Sequence, residues 1–477
     1  MKLEFHPHPQ QTLADQLFAA GVEFPCGGES ACGGCKVRVL QGDVPVTAAM
    51  REALGEDEIR HGWRLACCAS ASETVTVDVG QWSVRALTDE DTVPIEPRTG
   101  HGAVIDLGTT TLVVQVVDLV SGEVLRVKTA LNPQARYGAD VMSRLRYDLQ
   151  KPGELGRLIR EALQRMLGSE PLVEVLVAGN TAMHHLFCGL DVAPLTHAPF
   201  LSPTLSACRF ESADLGWPGP AEFLPCLGGF VGSDLLCGIV ATRLNEQPRP
   251  CALLDIGTNG EVVVGSAQGI SCASTAAGPA FEGGRIGAGM RAGAGAIDAV
   301  HVRDGGLRCH VIGGGAARGI CGSGLVDAAA CGVELSLIGA NGRLSNQDKR
   351  IPLVGGIALT QGDIRELQLA KGAMAAGLRM LVVDGVDKLC LAGAFGNYIR
   401  QTSARTIGLL PEDVTVEPVG NSALRGARTL LLTPSTRQMR LRKIAALSRH
   451  VELAADPDFQ RLYAQLMALS RYRLSGR

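Results

Sequence analysis

Aromatic side chains and net charge are both scarce in this chain of 477 residues. Phe, Trp and Tyr together make up 4% of the sequence, and 45 basic residues nearly balance 48 acidic ones. A chain so close to neutrality creates no field that would attract nucleic acid or an anionic membrane, so we expect neither partner. No apolar run approaches the roughly 18 residues that cross a bilayer, and the first residues, MKLEFHPHPQ, do not resemble a signal peptide. These absences predict a cytoplasmic protein.

Glycine and cysteine, by contrast, are abundant. The 59 glycines indicate many tight loops and small-residue packing, and a chain of this length is expected to fold as several domains. Many of the 15 cysteines lie in apolar segments such as LCGIV and KLCLAG, as expected for buried thiols in a reducing compartment. A disulfide framework is therefore not expected, whereas a metal held by thiolates is an option where cysteines cluster.

Three cysteines do cluster near the N-terminus, in FPCGGESACGGCKVRV. Cys26, Cys32 and Cys35 lie in a glycine-rich loop between a predicted helix and a predicted strand, and Cys67 and Cys68 follow in WRLACCAS. Three close thiolates and one distant thiolate suit a [2Fe–2S] cluster, which needs four thiolate ligands. The glycines let the backbone approach the inorganic sulfides closely. The alternative is a structural zinc site, although zinc usually takes two short CxxC-type pairs.

The spacing C-x5-C-x2-C with a distant fourth cysteine resembles that of adrenodoxin-like ferredoxins, and its first interval is one residue longer than in the plant type. The resemblance implies a β-grasp [2Fe–2S] ferredoxin domain over residues 1–82, followed by a charged, proline-bearing linker at 83–100. It implies four cluster ligands: Cys26, Cys32, Cys35 and Cys67. Cys67 is preferred because LAC fits the L-x-C pattern at the fourth ligand of these ferredoxins, and Cys68 is the alternative.

The remainder of the chain contains an internal repeat. AVIDLGTTTLVVQVV returns about 150 residues later as ALLDIGTNGEVVV, and VEVLVAGNTAM is echoed by DKLCLAGAFGNY. Each DxGT motif predicts the tip of a hairpin, and each echo predicts a strand that ends in a glycine turn and a helix. The candidate contacts to a bound nucleotide lie at the two tips: Asp106, Gly108, Thr109, Thr110 and Thr111, and then Asp255, Gly257, Thr258, Asn259 and Gly260.

Amides and hydroxyls at such a tip form a pocket of donors for phosphate oxygens, and an aspartate at its start can hold Mg²⁺ through water. A single DxGT motif is more often an ordinary turn. Two copies at equivalent places in a duplicated chain favour a nucleotide that is held from both sides. We therefore predict a nucleotide site in which Asp106 and Asp255 can hold Mg²⁺.

The duplicated pattern resembles the acetate and sugar kinase, Hsc70 and actin superfamily. This resemblance implies a two-lobed ATPase of RNase H-like fold, with lobe 1 at residues 101–250 and lobe 2, including C-terminal helices, at 251–477. It also implies that the nucleotide is ATP and that Asp106 and Asp255 are the catalytic residues. Five further positions resemble the glycine-rich places where that fold meets the nucleoside: Gly322, Ser323, Gly324, Gly393 and Gly396. For the Gly-Ser-Gly run, tight packing at the start of a helix is the alternative.

The combination of both parts resembles the reductive activators of corrinoid enzymes over nearly the whole chain, through NPQARYGADVMSRL, AGNTAMHHL, STAAGPAFEG, RGICGSGL and AGAFGNYI. The resemblance implies an ATP-dependent reductase that passes one electron from the [2Fe–2S] cluster to inactive Co(II) and restores Co(I). It also implies a corrinoid protein of a methyltransferase system as partner, an upstream low-potential electron donor, and a homodimer as one possible assembly. Larger members carry an additional middle domain, whereas only the eighteen residues 83–100 separate the two parts here.

Two other functions stay open on the sequence alone. One is a small-molecule kinase fused to a ferredoxin domain. The other is a redox sensor whose cluster controls nucleotide-dependent binding of a partner. His184 and His185, in an apolar helical run, are interpreted as packing or capping residues and not as cobalt ligands.

Overall fold

The computed structural model describes most of the chain as two compact units. The described residues are 2–8, 12–20, 22, 35–79, 93–138, 140–257, 259–393, 395–454 and 456–474. Unit 1 takes its residues from Met1–Arg85, Gln134–Ser143 and Pro279–Leu367, and unit 2 from Ala86–Pro133, Arg144–Gly278 and Gln368–Arg477. Within these described ranges, no helix is both long and apolar enough to cross a membrane.

The N-terminal part of unit 1 is a small sheet with a helix against it. Its elements are β1 (Lys2–Phe5), α1 (Leu13–Ala19), β2 (Lys36–Gln41), α2 (Ala48–Ala53), α3 (Glu56–Arg60), β3 (Trp63–Leu65) and β4 (Val75–Asp78). The strands are ordered β1-β4-β2-β3. Val75 and Val77 are buried while Thr76 and Asp78 are more exposed, as the two-residue period of a strand with one covered face requires. This arrangement confirms the predicted β-grasp ferredoxin fold.

The first half of the larger fold is a six-stranded sheet in unit 2. Its elements are β5 (His101–Leu107), β6 (Thr111–Asp118), β7 (Val124–Leu131), α4 (Val141–Gln150), α5 (Glu154–Leu167), β8 (Val175–Gly179), α6 (Thr181–Cys188), β9 (Cys208–Phe210), α7 (Ser212–Leu215), β10 (Ala221–Phe223) and α8 (Ser233–Thr242). The strand order is β7-β6-β5-β8-β10-β9. Strands β5, β6 and β7 form an antiparallel meander, and β8 and β10 continue the sheet in parallel to β5.

The second half repeats this pattern. Its elements are β11 (Cys251–Ile256), β12 (Gly260–Ser266), β13 (Gly269–Thr275), β14 (Ala296–Arg303), β15 (Gly306–Val311), β16 (Gly319–Ile320), α9 (Gly322–Glu334), β17 (Arg350–Pro352), β18 (Ala358–Thr360), α10 (Gln361–Leu381), β19 (Lys388–Ala392), α11 (Gln401–Thr406), β20 (Thr415–Gly420), α12 (Ser422–Leu432), α13 (Pro434–Leu447), β21 (Ser448–His450) and α14 (Pro457–Leu466). A second six-stranded sheet is ordered β20-β19-β11-β12-β13-β21. Two smaller sheets, β15-β14-β16 and β17-β18, lie within the insertion between β13 and β19.

The two six-stranded sheets share one topology. In each, the first three strands form a meander, and two later strands add beside the first strand in parallel. Each sheet therefore has the order 3-2-1-4-5 when its five principal strands are numbered along the chain. This common order confirms the predicted duplication of an RNase H-like fold.

A buried core joins the two sheets within unit 2. Helix α8 contacts β8 and β11, and helix α12 contacts β5, β8 and α8. The two helices approach closely because glycines face their partners: a Cβ on Gly426 would lie 1.9 Å from the carbonyl oxygen of Cys237. Because this core packs against β5 and β11, it fixes the positions of Asp106 and Asp255, which lie on these strands.

Candidate functional site

The first DxGT motif forms a tight hairpin tip between β5 and β6. The Gly108 amide donates to the carbonyl oxygen of Thr111 (3.1 Å), and a Cβ on Gly108 would lie 2.6 Å from that oxygen, so only glycine fits. Asn132 holds the tip from below, since its backbone amide donates to the carbonyl oxygen of Thr110 (2.9 Å) and its side-chain amide donates to that of Gly108 (2.9 Å). The turn is thus rigidly built before any ligand binds.

Thr109 is the best-anchored residue of this tip. Its hydroxyl accepts a hydrogen bond from Asn180 Nδ2 (2.9 Å), and its carbonyl oxygen accepts one from the buried Arg144. Asn180 caps α6, because its Oδ1 accepts from the amide of Met183 (3.0 Å). The echo motif that ends β8 therefore supports the first tip directly. Whether the predicted residues of this tip contact phosphate stays a prediction.

The second DxGT motif repeats the turn between β11 and β12. The Gly257 amide donates to the carbonyl oxygen of Asn259 (3.2 Å), while Thr258 lies outside the described residues. Gly260 packs under β13, because its carbonyl oxygen accepts from Thr275 Oγ1 (2.9 Å) and a Cβ there would lie 2.7 Å from the same hydroxyl. Gly260 thus has a packing role, and its predicted contact with a nucleotide stays a prediction.

Four carboxyl groups gather where the two hairpins begin. Asp106 and Asp255 are the next-to-last residues of β5 and β11. Asp234 lies in the first turn of α8, and Glu261 lies opposite Asp255 in the β11–β12 register. The three aspartates remain partly accessible, whereas Glu261 is buried. Asn421, the N-cap of α12, donates to Asp106 Oδ2 (2.9 Å). The sheets therefore bring both predicted catalytic aspartates into one acidic cluster.

The electrostatics of this cluster show that the four groups interact. Burial raises the pKa of Asp106 to about 6, against the hydrogen bond from Asn421. Burial, and then the nearby Asp106, raises the pKa of Asp255 to about 7. Burial and the negative charges of Asp255 and Asp106 raise the pKa of Asp234 to about 7. Burial, followed by Asp234 and Asp255, raises the pKa of Glu261 well above its usual range. A divalent cation would relieve this repulsion, and clustered carboxylate oxygens are the ligands that Mg²⁺ prefers.

We expect Mg²⁺ to stabilise the protein more at about pH 8 than at about pH 6. The raised pKa values mean that the folded protein retains protons which the unfolded chain has already released, so stability without metal falls between about pH 4 and about pH 7. Above that range the carboxylates are charged, repel one another and are free to bind a cation. Thermal unfolding with MgCl₂ or with a chelator, at both pH values, measures the difference. Equal Mg²⁺ shifts at the two pH values would count against the cluster as the binding site.

The predicted nucleoside-side glycines divide into two groups. Gly393 lies beside the acidic cluster with φ +87°, and a Cβ there would lie 3.0 Å from Asp255 Oδ1. Gly396 closes the same turn, since its amide donates to the carbonyl oxygen of Gly393 (3.1 Å). A side chain at Gly393 would be strained and would crowd Asp255, so glycine there keeps the site open.

The second group of predicted nucleoside contacts lies at the start of α9 in unit 1. It consists of Gly322, Ser323 and Gly324. Ser323 Oγ donates to the carbonyl oxygen of Asp298 (2.8 Å), and a Cβ on Gly324 would lie 2.1 Å from that of Ile297. These contacts pack α9 against β14, as the packing alternative for the Gly-Ser-Gly run supposed. A role for the three residues in nucleotide binding stays a prediction.

The cysteine site is described in part. Cys26 and Cys32 lie outside the described residues. Cys35 precedes β2 and Cys67 lies in the short 3-10 helix Ala66–Cys68, and the pairing of Lys36 with Leu65 brings the two segments together. Cys35 Sγ and Cys67 Sγ are 3.2 Å apart, and the Cys67 amide points at Cys35 Sγ (3.5 Å).

Cys68 faces elsewhere. Its Sγ lies 3.6 Å from Thr47 Oγ1 and 3.7 Å from the carbonyl oxygen of Leu65. Two convergent thiols with an amide aimed at one sulfur suit thiolate ligands of a [2Fe–2S] cluster, because amide hydrogen bonds stabilise charge on such sulfurs. The geometry favours Cys67 over Cys68 as the fourth ligand, and the full ligand set stays a prediction.

Sequence reasoning did not identify several residues of the acidic site. Asp234, Glu261 and Asn421 were not among the candidates, although each lies in contact with a predicted aspartate or interacts with it. In the sequence, Asp234 and Asn421 are marked only as polar residues at the start of a helix, in VGSDLL and VGNSAL. Glu261 is marked less clearly, as a single acidic residue within an apolar strand.

Known sequence families cover nearly the whole chain. Residues 2–72 match the family described as the 2Fe-2S iron-sulfur cluster binding domain, residues 101–247 the RACo middle region, and residues 249–475 the C-terminal domain of RACo, the ASKHA domain. The first match favours iron–sulfur over the zinc alternative. The second coincides with the first six-stranded sheet, predicted above as lobe 1 at 101–250, and the absence of an additional domain before it stays a prediction.

Individual relatives agree with these matches. The chain is 33% identical over 413 residues to the corrinoid activation enzyme RamQ of Eubacterium limosum, covering 76% of this chain and 69% of that protein. It is 26% identical over 416 residues to the [Co(II) methylated amine-specific corrinoid protein] reductase of Methanosarcina barkeri, covering 76% of each. A solved structure described as a reductive activator for corrinoid,iron-sulfur protein superposes with TM-score 0.70 at 26% identity, over 98% of this chain and 97% of that one.

Proposed function

The chain belongs to the family of RACo-type reductive activators of corrinoid proteins, and on that premise we propose that it performs ATP-dependent reduction of a corrinoid protein. One electron passes from the N-terminal [2Fe–2S] cluster to inactive Co(II), and Co(I) is restored. The single observation that carries the proposal is the union in one chain of a cluster-binding domain and a duplicated fold with paired aspartates at its hairpin tips.

The energetics explain why a nucleotide site accompanies the electron carrier. A plant-type cluster has a potential near about −400 mV, and a one-electron step that is uphill by about 100 mV costs roughly 2.3 kcal/mol. Differential binding of a ligand to two protein states typically supplies about 1–3 kcal/mol of coupling. Binding of ATP is therefore of the right magnitude to favour a complex in which the corrinoid accepts the electron.

The residues divide the work as follows. Asp106 and Asp255, with Asp234 and Glu261 beside them, would hold Mg²⁺, whose charge would offset their mutual repulsion. The hairpin tips after Asp106 and Asp255 would lie against the phosphates, and Gly393 leaves space beside Asp255. Asn421 fixes the orientation of the Asp106 carboxylate by its hydrogen bond.

The cluster ligands would be Cys26, Cys32, Cys35 and Cys67, and the cluster would supply the single electron. Burial of Cys35 at 1% exposure keeps water from that sulfur. The partners would be a corrinoid protein of a methyltransferase system and a low-potential electron donor, in the cytoplasm, with a homodimer as a possible assembly.

Anaerobic Co(II) reduction tests the proposal. We expect dithionite-reduced, cluster-loaded protein to convert a corrinoid protein from Co(II) to Co(I) at least about tenfold faster with MgATP than with MgADP, in line with typical coupling energies. Absorption of the corrinoid measures the rate. ADP formation that depends on a sugar or carboxylate would support the kinase alternative instead. Oxidation-dependent affinity for the partner without net Co(I) formation would support the sensor alternative.

A further inference from the structure

Three side chains that can ligate a metal converge at the C-terminal end of α6, and the proposed function assigns no role to them. His184 and Cys188 are four residues apart on α6 and so share one face of the helix. Cys208 begins β9, and its pairing with Phe223 of β10 sets it against that face. One ligand atom from each of His184, Cys188 and Cys208 lies within 4.8 Å of the other two.

The spacing fits one tetrahedral ion. Zinc bond lengths of about 2.3 Å to sulfur and about 2.05 Å to nitrogen place the ligand atoms roughly 3.6 Å (N to S) and roughly 3.8 Å (S to S) apart. His184 Nε2 lies 3.5 Å from Cys208 Sγ. This distance matches the N-to-S separation of a zinc site, and the ligand atom of Cys188 lies within 4.8 Å of the other two.

The environment of His184 supplies an independent observation. Its ring is fully buried, lies edge-on to Phe223 (4.9 Å between centroids), and has Cys208 Sγ as its polar contact, while Nδ1 has no hydrogen-bond partner within the described chain. The neighbouring His185 is satisfied at both nitrogens, by the carbonyl oxygen of Thr181 (2.8 Å) and by Ser202 Oγ (2.6 Å). Nε2 faces Cys208 Sγ inside this buried site, so it is the atom that a metal would bind, with Nδ1 as the protonated nitrogen of the neutral ring.

We propose that His184, Cys188 and Cys208 form a mononuclear site for a divalent metal that prefers nitrogen and thiolate ligands, with Zn²⁺ as the ion that fits best. Two thiol protons leave as the two thiolates bind, so the bound ion and its ligands are together neutral. Cys188 and Cys208 are each partly exposed, which leaves the fourth tetrahedral position to water. The interpretation of His184 as a packing residue then describes only the metal-free state.

A metal at this site would stabilise the first hairpin tip through α6. At one end of this helix, Asn180 caps the first turn and holds Thr109 of the first hairpin tip. At the other end, the metal would tie Cys188 to Cys208 of β9. A metal here would therefore anchor the helix at both ends, without contact to the acidic cluster being required.

Metal analysis of the intact protein tests the site. The protein is first loaded with iron and sulfide so that the ferredoxin cysteines are occupied, then incubated with ZnCl₂ and desalted against a weak chelator. We expect one zinc per chain in addition to the iron, and Zn-edge X-ray absorption with two sulfur ligands near about 2.3 Å and one nitrogen ligand near about 2.05 Å. His184→Gln and Cys208→Ser should each weaken zinc binding by more than about 100-fold, because loss of even an outer partner of a ligand costs about 10–100-fold.

Cys309→Ser is the matched control, since it removes a partly buried thiol on β15 of the other unit and should leave the zinc content unchanged. Far-ultraviolet circular dichroism shows whether the variants fold, and the wild-type stoichiometry and absorption spectrum stand even if one variant does not. Three results would overturn the proposal: no retained zinc in the wild type, equal zinc in the ligand variants, or a native Cys188–Cys208 disulfide found by mass spectrometry.

Discussion

Asp255→Asn is expected to remove most of the MgATP acceleration of Co(I) formation, so that the rate with MgATP falls at least about tenfold, toward the wild-type rate with MgADP. Asp255 is the next-to-last residue of β11 and interacts with Asp106, Asp234 and Glu261. The amide has the same shape but no charge, so it weakens the cation site and leaves the packing around Gly393 intact. Stopped-flow absorption of the corrinoid partner, with dithionite as the electron source, measures the effect.

The same substitution should not unfold the protein. Because burial and Asp106 raise the pKa of Asp255 to about 7, its charged form destabilises the fold at about pH 8, and the neutral amide should give an equal or higher melting temperature there without Mg²⁺. The [2Fe–2S] spectrum should be unchanged. Asp118→Asn, at the far end of the first hairpin, is the matched control, since asparagine can still accept from the Val120 and Ser121 amides. Full ATP-dependent reduction by Asp255→Asn would refute the assignment of the acidic site.

The two hairpins could be predicted because each is encoded by a short local motif and the motif occurs in both halves of the chain. Asp106 and Asp255 each follow an apolar strand and precede a Gly-Thr turn, so both hairpins were visible without any knowledge of long-range contacts. The echo motifs then gave the fourth strand of each half. The hairpins account for the 3-2-1 part of the order observed in both sheets, whereas the parallel pairing of strands 4 and 5 beside strand 1 depends on long-range contacts.

The full acidic cluster could not be predicted, because tertiary contacts assemble it. Glu261 lies opposite Asp255 only through the β11–β12 register, and a shift of one residue would turn it to the other face. Asp234 reaches the site from the first turn of α8, and Asn421 from the cap of α12, which packs against α8. Helix packing of this kind has no counterpart in a local motif.

Packing also changes how two sequence signals are interpreted. The Gly-Ser-Gly run resembles a nucleotide contact, yet Gly324 is required by the close approach of α9 to Ile297. The pair His184 and His185 looks uniform in sequence, yet His185 is fully hydrogen-bonded and His184 faces two thiols. In both cases the distinction depends on residues that are remote along the chain.

Cys67→Ala is expected to abolish the [2Fe–2S] cluster and with it electron delivery, whereas Cys68→Ala should retain both. Cys67 Sγ converges with Cys35 Sγ at 3.2 Å, while Cys68 Sγ lies against Thr47 and the carbonyl oxygen of Leu65. A [2Fe–2S] cluster needs all four thiolates, so one missing ligand should lower the iron content and the rate of Co(II) reduction by at least about tenfold. Iron analysis, visible absorption and the EPR spectrum of the dithionite-reduced protein measure the result.

Because Cys67 and Cys68 are adjacent, each variant is a control for the other. Both variants lose one partly exposed thiol from the same 3-10 helix, so a general effect of substitution there would affect both equally. If only Cys68→Ala loses the cluster, the fourth ligand is Cys68 and the backbone near Ala66 must rearrange when iron binds. If both variants keep a full cluster, the fourth thiolate comes from neither cysteine and the ferredoxin ligand pattern does not hold in this chain. Loss in Cys67→Ala alone, with ATP binding unchanged, would place the source of the electron in the N-terminal domain and separate it from the acidic site that Asp255→Asn tests.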